Sequence, residues 1–96
     1  MADSRVNKLR YRAWRRGFLE ADLILGPFAD RWLADLGDAG LDEFEALLDQ
    51  PDPDLYAWIT GQTDAPAEFR GPTLNLIKDF RLAAHAAREG RIAGEA

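Results

Sequence analysis

Six consecutive residues, Arg15-Arg16-Gly17-Phe18-Leu19-Glu20, concentrate the groups with binding chemistry in this 96-residue chain. A guanidinium presents a planar fork of donors that fits a carboxylate or a phosphate. Arg16 and Glu20 are spaced i, i+4, which places both on one face if the segment is helical. As an internal ion pair they run in the weaker order, arginine first, worth roughly a few tenths of a kcal/mol. Gly17 between them costs about 0.5–1 kcal/mol relative to alanine inside a helix, so its position needs a reason. Either the chain turns there, or two helices pack closely, or a spot without a side chain admits another backbone. The flanking charges favour the last of these. The segment reads as a surface that binds another protein, with Arg16, Gly17 and Glu20 at its centre. Tyr11, Arg12, Arg15 and Asp22 are its lesser members.

Residues for catalysis are scarce by comparison. There is no cysteine, which removes a thiolate nucleophile, a disulfide framework and any zinc site built on sulfur. The single histidine, His85, has Arg81 and Arg88 as helical neighbours and only Glu89 as a nearby carboxylate, so it reads as a solvated surface group rather than a metal ligand. Ser4, the only serine, lies near the chain's start, where a Ser/His/Asp arrangement is hard to hold. Glu20 and Asp22 are close in sequence, but acid–base work needs one of the two in an apolar pocket. A domain of this size encloses such a pocket with difficulty. Asp42-Glu43-Phe44-Glu45 reads as a solvated face near a helix N-terminus. No phosphate-cradling glycine loop is present. The chain is therefore expected not to be an enzyme.

The net charge of −5 is unevenly spread. Residues 1–16 hold six basic groups against one acid, and the remaining residues hold six basic against sixteen acidic. Arg10, Tyr11, Arg12, Trp14, Arg15 and Arg16 interleave cations with aromatics, as a nucleic-acid surface does. Against that reading, the whole chain is acidic, with a sequence pI near 4.7. A basic end on an acidic body also fits electrostatics within the fold. No apolar run approaches the ~20 residues that cross a bilayer, and the first residues lack the apolar centre of a secretory signal.

Helical periodicity positions these groups, and strand alternation is absent. A first helix is expected from Ser4, as N-cap, to Trp14, with Val6, Leu9 and Ala13 inward. A second is expected from Arg16 or Gly17 to Leu36, on the row Phe18, Ala21, Leu25, Phe28, Trp32, Leu36, with a kink or break at Pro27. Asp38 is the candidate cap of a third, ending near Asp49, with Leu41, Phe44, Leu47 and Leu48 inward. Asp52 and Pro53 read as N-cap and first residue of a fourth, which buries Leu55, Trp58 and Ile59 and stops at Gly61. Asp54 is read as a second capping group. Residues 62–71 form a loop with one turn near Pro66 to Phe69. Pro72 opens a last helix ended by Gly90, with Leu76, Ile77, Phe80, Ala83, Ala84 and Ala87 inward. The expected fold is all-α, a compact five-helix bundle in a single domain over residues 1–96, with its core at about 4–89 and a frayed tail. Trp32 and Trp58 are assigned to the core, and Trp14 and Tyr11 to the rim of the binding surface.

The Arg-Gly-x-x-Glu motif formed by Arg16, Gly17 and Glu20, after a basic first helix, resembles the small flavinylation factors of succinate dehydrogenase. Two further blocks agree, Leu23 to Ala29 with Asp22 just before it, and Asp52-Pro53-Asp54-Leu55-Tyr56-x-Trp58-Ile59. The resemblance covers about residues 5–60, with a compatible last helix beyond. It implies a helical bundle that binds the flavoprotein subunit of succinate dehydrogenase, or of the related fumarate reductase. It implies that the bound factor promotes covalent attachment of FAD to a histidine of that subunit without supplying a catalytic group. The factor itself is expected to hold no cofactor tightly. Contact with the client's FAD is left open, and a carboxylate or carbonyl of the subunit is favoured over a flavin phosphate as the target of Arg16. A free monomer is expected, with no nucleic-acid partner and no membrane insertion; the first helix, running into the motif without a break, favours a bacterial cytoplasm, or the mitochondrial matrix if the source is a eukaryote. The competing readings are a nucleic-acid-binding module and a general helical adaptor, both using the basic first helix.

Overall fold

The computed structural model describes the backbone of residues 2–95 and the side chains of residues 4–84. Among the described residues the chain forms five α-helices and no strand: α1 Ala2–Trp14, α2 Leu19–Trp32, α3 Gly37–Leu48, α4 Asp52–Thr60 and α5 Pro72–Glu95. Short 3-10 turns at Leu33–Asp35 and Ala67–Phe69 link α2 to α3 and α4 to α5. The all-α bundle expected from periodicity is the fold observed.

The core follows the apolar rows. Val6, Leu9 and Ala13 of α1 are buried, as are Leu25, Phe28 and Ala29 of α2, Leu41, Phe44, Leu47 and Leu48 of α3, and Leu55, Trp58 and Ile59 of α4. Phe28 lies at the centre, stacked on Phe44 with ring centroids 5.7 Å apart and meeting Phe80 edge-on at the same distance. Such offset and edge arrangements suit the ring quadrupoles and add to the area buried. Trp58 stacks on Phe69 at 5.3 Å, so the 3-10 turn before α5 closes one end of the core.

Several boundaries differ from the sequence reading. Helix α1 begins at Ala2, so Ser4 sits inside it and is not its cap. Helix α2 begins at Leu19 because Gly17 takes a left-handed turn at φ 85°; Arg16 and Glu20 are therefore not on one helix face. It continues through Pro27 without a break and ends at Trp32, where a 3-10 turn carries the chain to Asp35. Trp32 is half-buried against the core rather than inside it. Helix α3 starts at Gly37, whose φ of 73° sets the turn, so Asp38 lies in the first turn facing the positive end of the dipole and makes no cap bond. Pro51, not Asp52, is the N-cap of α4, and neither Asp52 nor Asp54 makes a side-chain cap bond. Helix α5 buries Leu74 and Ile77 but leaves Ala83 and Ala84 exposed, because it runs past the end of the core. It also runs through Gly90 to Glu95, a glycine costing a helix interior only about 1 kcal/mol. The side chains of His85 and Ala87 lie outside the described residues.

Opposite charges fix how α1 lies on α3. Arg5 bonds Asp42 and Glu45 at 2.5 and 3.1 Å, and Arg12 bonds Asp49 at 2.6 Å. The two contacts advance together by seven residues on each helix, so α1 and α3 run in the same sense, with α2 returning between them. The hydrogen bonds to Asp42 and then Glu45 raise the Arg5 guanidinium above its ordinary pKa.

Candidate protein-binding surface at the Arg16 turn

The turn between α1 and α2 is built from groups that its own sequence supplies. The Arg15 amide bonds the Arg12 carbonyl at 3.2 Å, closing the last turn of α1. Gly17 then reverses the chain in the left-handed region, where a side chain is disfavoured by contact with the carbonyl that follows. Phe18 is extended, at φ −122° and ψ 99°, and its carbonyl takes the Asp22 amide at 2.9 Å to begin α2. The Asp22 carboxylate in turn accepts the Arg16 amide at 3.1 Å. Asp22 thus ties the first turn of α2 back to the residue before the glycine.

The Arg16 side chain crosses to the corner between α3 and α4. Its Nε donates to Asp52 Oδ1 at 2.5 Å, its Nη1 to the Leu48 carbonyl at 2.6 Å and its Nη2 to the Gln50 carbonyl at 2.7 Å. Leu48 is the last residue of α3, where carbonyls lack helical partners and the dipole is negative. A guanidinium is suited to this place because one planar group meets both carbonyls and a carboxylate. Its side chain is only 9% exposed and that of Asp52 28%. One turn along α4, the Tyr56 ring lies 5.4 Å from that of Phe18. The motif segment and the Asp52–Ile59 block are therefore one packed unit.

A shallow open groove of about 360 Å³ runs beside this unit, lined by Tyr11, Arg12, Arg15, Arg16, Gln50, Pro51 and Asp52. The Arg15 guanidinium lies 4.5 Å above the Tyr11 ring, a cation–π arrangement at an exposed site. Tyr11 in the groove wall is 61% exposed, and elsewhere on α1 and α2 Trp14 is 40%, Leu19 67% and Leu23 59% exposed. Glu20 is exposed and makes no hydrogen bond or ion pair among the described residues.

The structure divides the residues singled out from sequence into two groups. Gly17, Glu20, Tyr11 and Arg15 face solvent. Arg16, Arg12 and Asp22 direct their charges to partners within the chain. Asp52, read as a helix cap, is instead the counter-charge of Arg16. Leu19 lies in the segment read as a surface from sequence, whereas Leu23 was given no place on it, although both fall off the buried row Ala21, Leu25, Phe28, the one local sign that they point outward. Sequence reasoning also missed Gln50 and Pro51, which carry no chemical signature. Among the described residues, no three His, Cys, Asp or Glu side chains are grouped to hold a metal ion.

The family model described as the flavinator of succinate dehydrogenase matches residues 7–81, which take in the turn, the groove and the α3–α4 corner. The chain belongs to this flavinator family. Similar relatives bear the name succinate dehydrogenase assembly factor 2, mitochondrial. The one from Mycosarcoma maydis is 43% identical over 67 residues, covering 70% of this chain and 28% of its own. The one from Dictyostelium discoideum is 41% identical over 71 residues, covering 74% and 50%. The one from Meyerozyma guilliermondii is 44% identical over 62 residues, covering 65% and 46%. The chain thus spans half or less of the length of these relatives. All three sequence blocks that resemble the flavinator family fall inside the matched region.

Proposed function

We propose that this chain is an assembly factor that binds the flavoprotein subunit of succinate dehydrogenase, or of fumarate reductase, and promotes covalent attachment of FAD to it. The observation that carries this reading is the family match across residues 7–81, which spans the whole unit formed by the Arg16 turn and α4. The relatives' names point to succinate dehydrogenase as the complex served. The exposed set Tyr11, Arg15, Gly17, Leu19 and Glu20 has the mixture of aromatic, arginine and aliphatic groups found at protein interfaces.

The factor acts by holding. A subunit seated on the groove has its mobile parts fixed, and its own residues and the flavin are then aligned for bond formation, which lowers the entropic part of the barrier. The groove does not fit FAD as a resident group, because it is open and the buried cation in its wall, Arg16, is already bound to Asp52 and two carbonyls. FAD remains the client's. The compartment is that of the client, a bacterial cytoplasm or a mitochondrial matrix. Among the described residues no helix is long and apolar enough to cross a membrane.

Co-expression with the flavoprotein subunit, read by in-gel flavin fluorescence, tests this function. The parent chain is expected to raise the fluorescence of the subunit band. A Cβ added at Gly17 meets no atom within 4 Å, but Gly17→Arg forces a side chain into the left-handed turn at a backbone cost of about 1–2 kcal/mol. It is expected to keep its helical circular-dichroism signal and to abolish the gain in flavin attachment. Flavin attachment that is the same with and without the parent chain would sink the function. Attachment unaffected by Gly17→Arg would sink the site.

A further inference from the structure

We propose that Arg16 is a positioning residue that acts wholly inside the chain, locking the Gly17 turn onto the α3–α4 corner so that Gly17, Leu19 and Glu20 are presented to the partner in one fixed shape. The proposal rests on the protein-binding role given above and assigns work within that surface.

Three observations carry it. The guanidinium makes three short hydrogen bonds, to Asp52 Oδ1, the Leu48 carbonyl and the Gln50 carbonyl. These take three of the five guanidinium N–H donors, and every nitrogen is already committed to a partner within the chain. The side chain is nearly covered, at 9% exposed, while its neighbour Arg15 stays open to solvent. The residue is held at both ends, with its amide on Asp22 of α2 and its guanidinium on α3 and α4. One residue therefore connects every element that borders the glycine turn. Phe18 on Tyr56 adds a second, apolar contact across the same junction.

The direct-contact reading and the locking reading differ in how Arg16 and Asp52 depend on each other. If Arg16 touched the partner, removing the Asp52 charge would free it and leave binding equal or tighter. If Arg16 locks the turn, loss of either partner gives the same defect, and the two losses do not add.

The test is a double-mutant cycle with the mild variants Arg16→Lys and Asp52→Asn, singly and together. Binding to the purified flavoprotein subunit is measured over a range of salt, well below each variant's melting temperature. Amide hydrogen exchange of the free chain is followed in parallel. Each single variant is expected to bind on the order of tenfold more weakly, and the double variant no worse than either. The slope of affinity against salt should stay that of the parent in all three, whereas Arg15→Gln should flatten it. Exchange at the Arg16 and Asp22 amides, which bond the Asp22 carboxylate and the Phe18 carbonyl, should rise while the core amides of α1 and α3 stay protected, a signature that general destabilisation does not produce. Additive losses, normal binding by Asp52→Asn, or a flatter salt slope in Arg16→Lys would each overturn the proposal. If the parent itself fails to bind the subunit, the functional reading falls. The exchange arm then decides the lock alone, and unchanged exchange at the Arg16 and Asp22 amides removes it.

Discussion

Gly26 lies under the Trp14 indole, and a Cβ added there would sit 2.3–2.6 Å from three atoms of the ring. The indole is otherwise held by its Nε1 bond to Asp30 at 3.2 Å. In an unhindered helix, glycine to alanine gains up to about 1 kcal/mol. Here the added methyl must push the ring outward, and overpacking of this kind costs about 1–3 kcal/mol. Gly26→Ala is therefore expected to lower the melting temperature by about 5–10 °C and to shift tryptophan emission to the red as the indole becomes more exposed. An equally stable variant with unchanged emission would show that the ring does not rest there. Gly17 presents the opposite case, with nothing within 4 Å and its requirement set by φ alone. Close packing and a chain turn, the two structural reasons weighed for Gly17 from sequence, are thus both present, at different glycines.

At the scale of elements, four of the six basic groups in residues 1–16 are paired with carboxylates: Arg5 with Asp42 and Glu45, Arg10 with Asp30, Arg12 with Asp49 and Arg16 with Asp52. All but the last are solvent-exposed contacts, which are individually weak and screened by salt. Acting together along two helices, the Arg5 and Arg12 pairs fix the register of α1 on α3. Replacing Asp42, Glu45 and Asp49 by their amides is expected to lower the melting temperature by a few degrees at low salt. High salt should shrink the difference from the parent. An equal gap at both salt levels would show that packing alone sets the register. The helices that carry these charges were legible in the sequence, because Val6, Leu9 and Ala13 or Leu41, Phe44 and Leu48 repeat at helical spacing whatever the tertiary context. The pairings were not. Arg12 and Asp49 are 37 residues apart and Arg16 and Asp52 are 36, and no local pattern reports which distant carboxylate a guanidinium will meet. For the same reason Asp52 was read as a cap, the only role its neighbours Pro51 and Pro53 could suggest. The location of the candidate surface was legible, since glycine beside charges is a local irregularity. The inward direction of Arg16 depended on where α4 would fold.

Over the whole molecule, the same pairing changes what the charge asymmetry means. A basic first helix on a body of net charge −5 invites a nucleic-acid reading as long as its cations are counted as free. Once Arg5, Arg10, Arg12 and Arg16 are bound to carboxylates of the same chain, Lys8 and Arg15 remain outside these pairs, and Arg15 rests over Tyr11. Two separate cations release few counterions, so the electrostatic term that supplies most non-specific nucleic-acid affinity is small. The exposed aromatics Tyr11 and Trp14 are also partly engaged, one under Arg15 and the other against Gly26 and Asp30. What remains outward is apolar and mixed, Leu19 and Leu23 beside Glu20, which suits a protein face better than a phosphate backbone. In a gel-shift titration at low salt, the chain is expected to leave single-stranded RNA and duplex DNA unshifted, while the flavoprotein subunit is captured under the same conditions. A shift that weakens steeply as salt is raised would return the basic helix to the role of a phosphate-binding surface. It would also require the ion pairs between α1 and α3 to open, which the amide variants of Asp42, Glu45 and Asp49 would then promote.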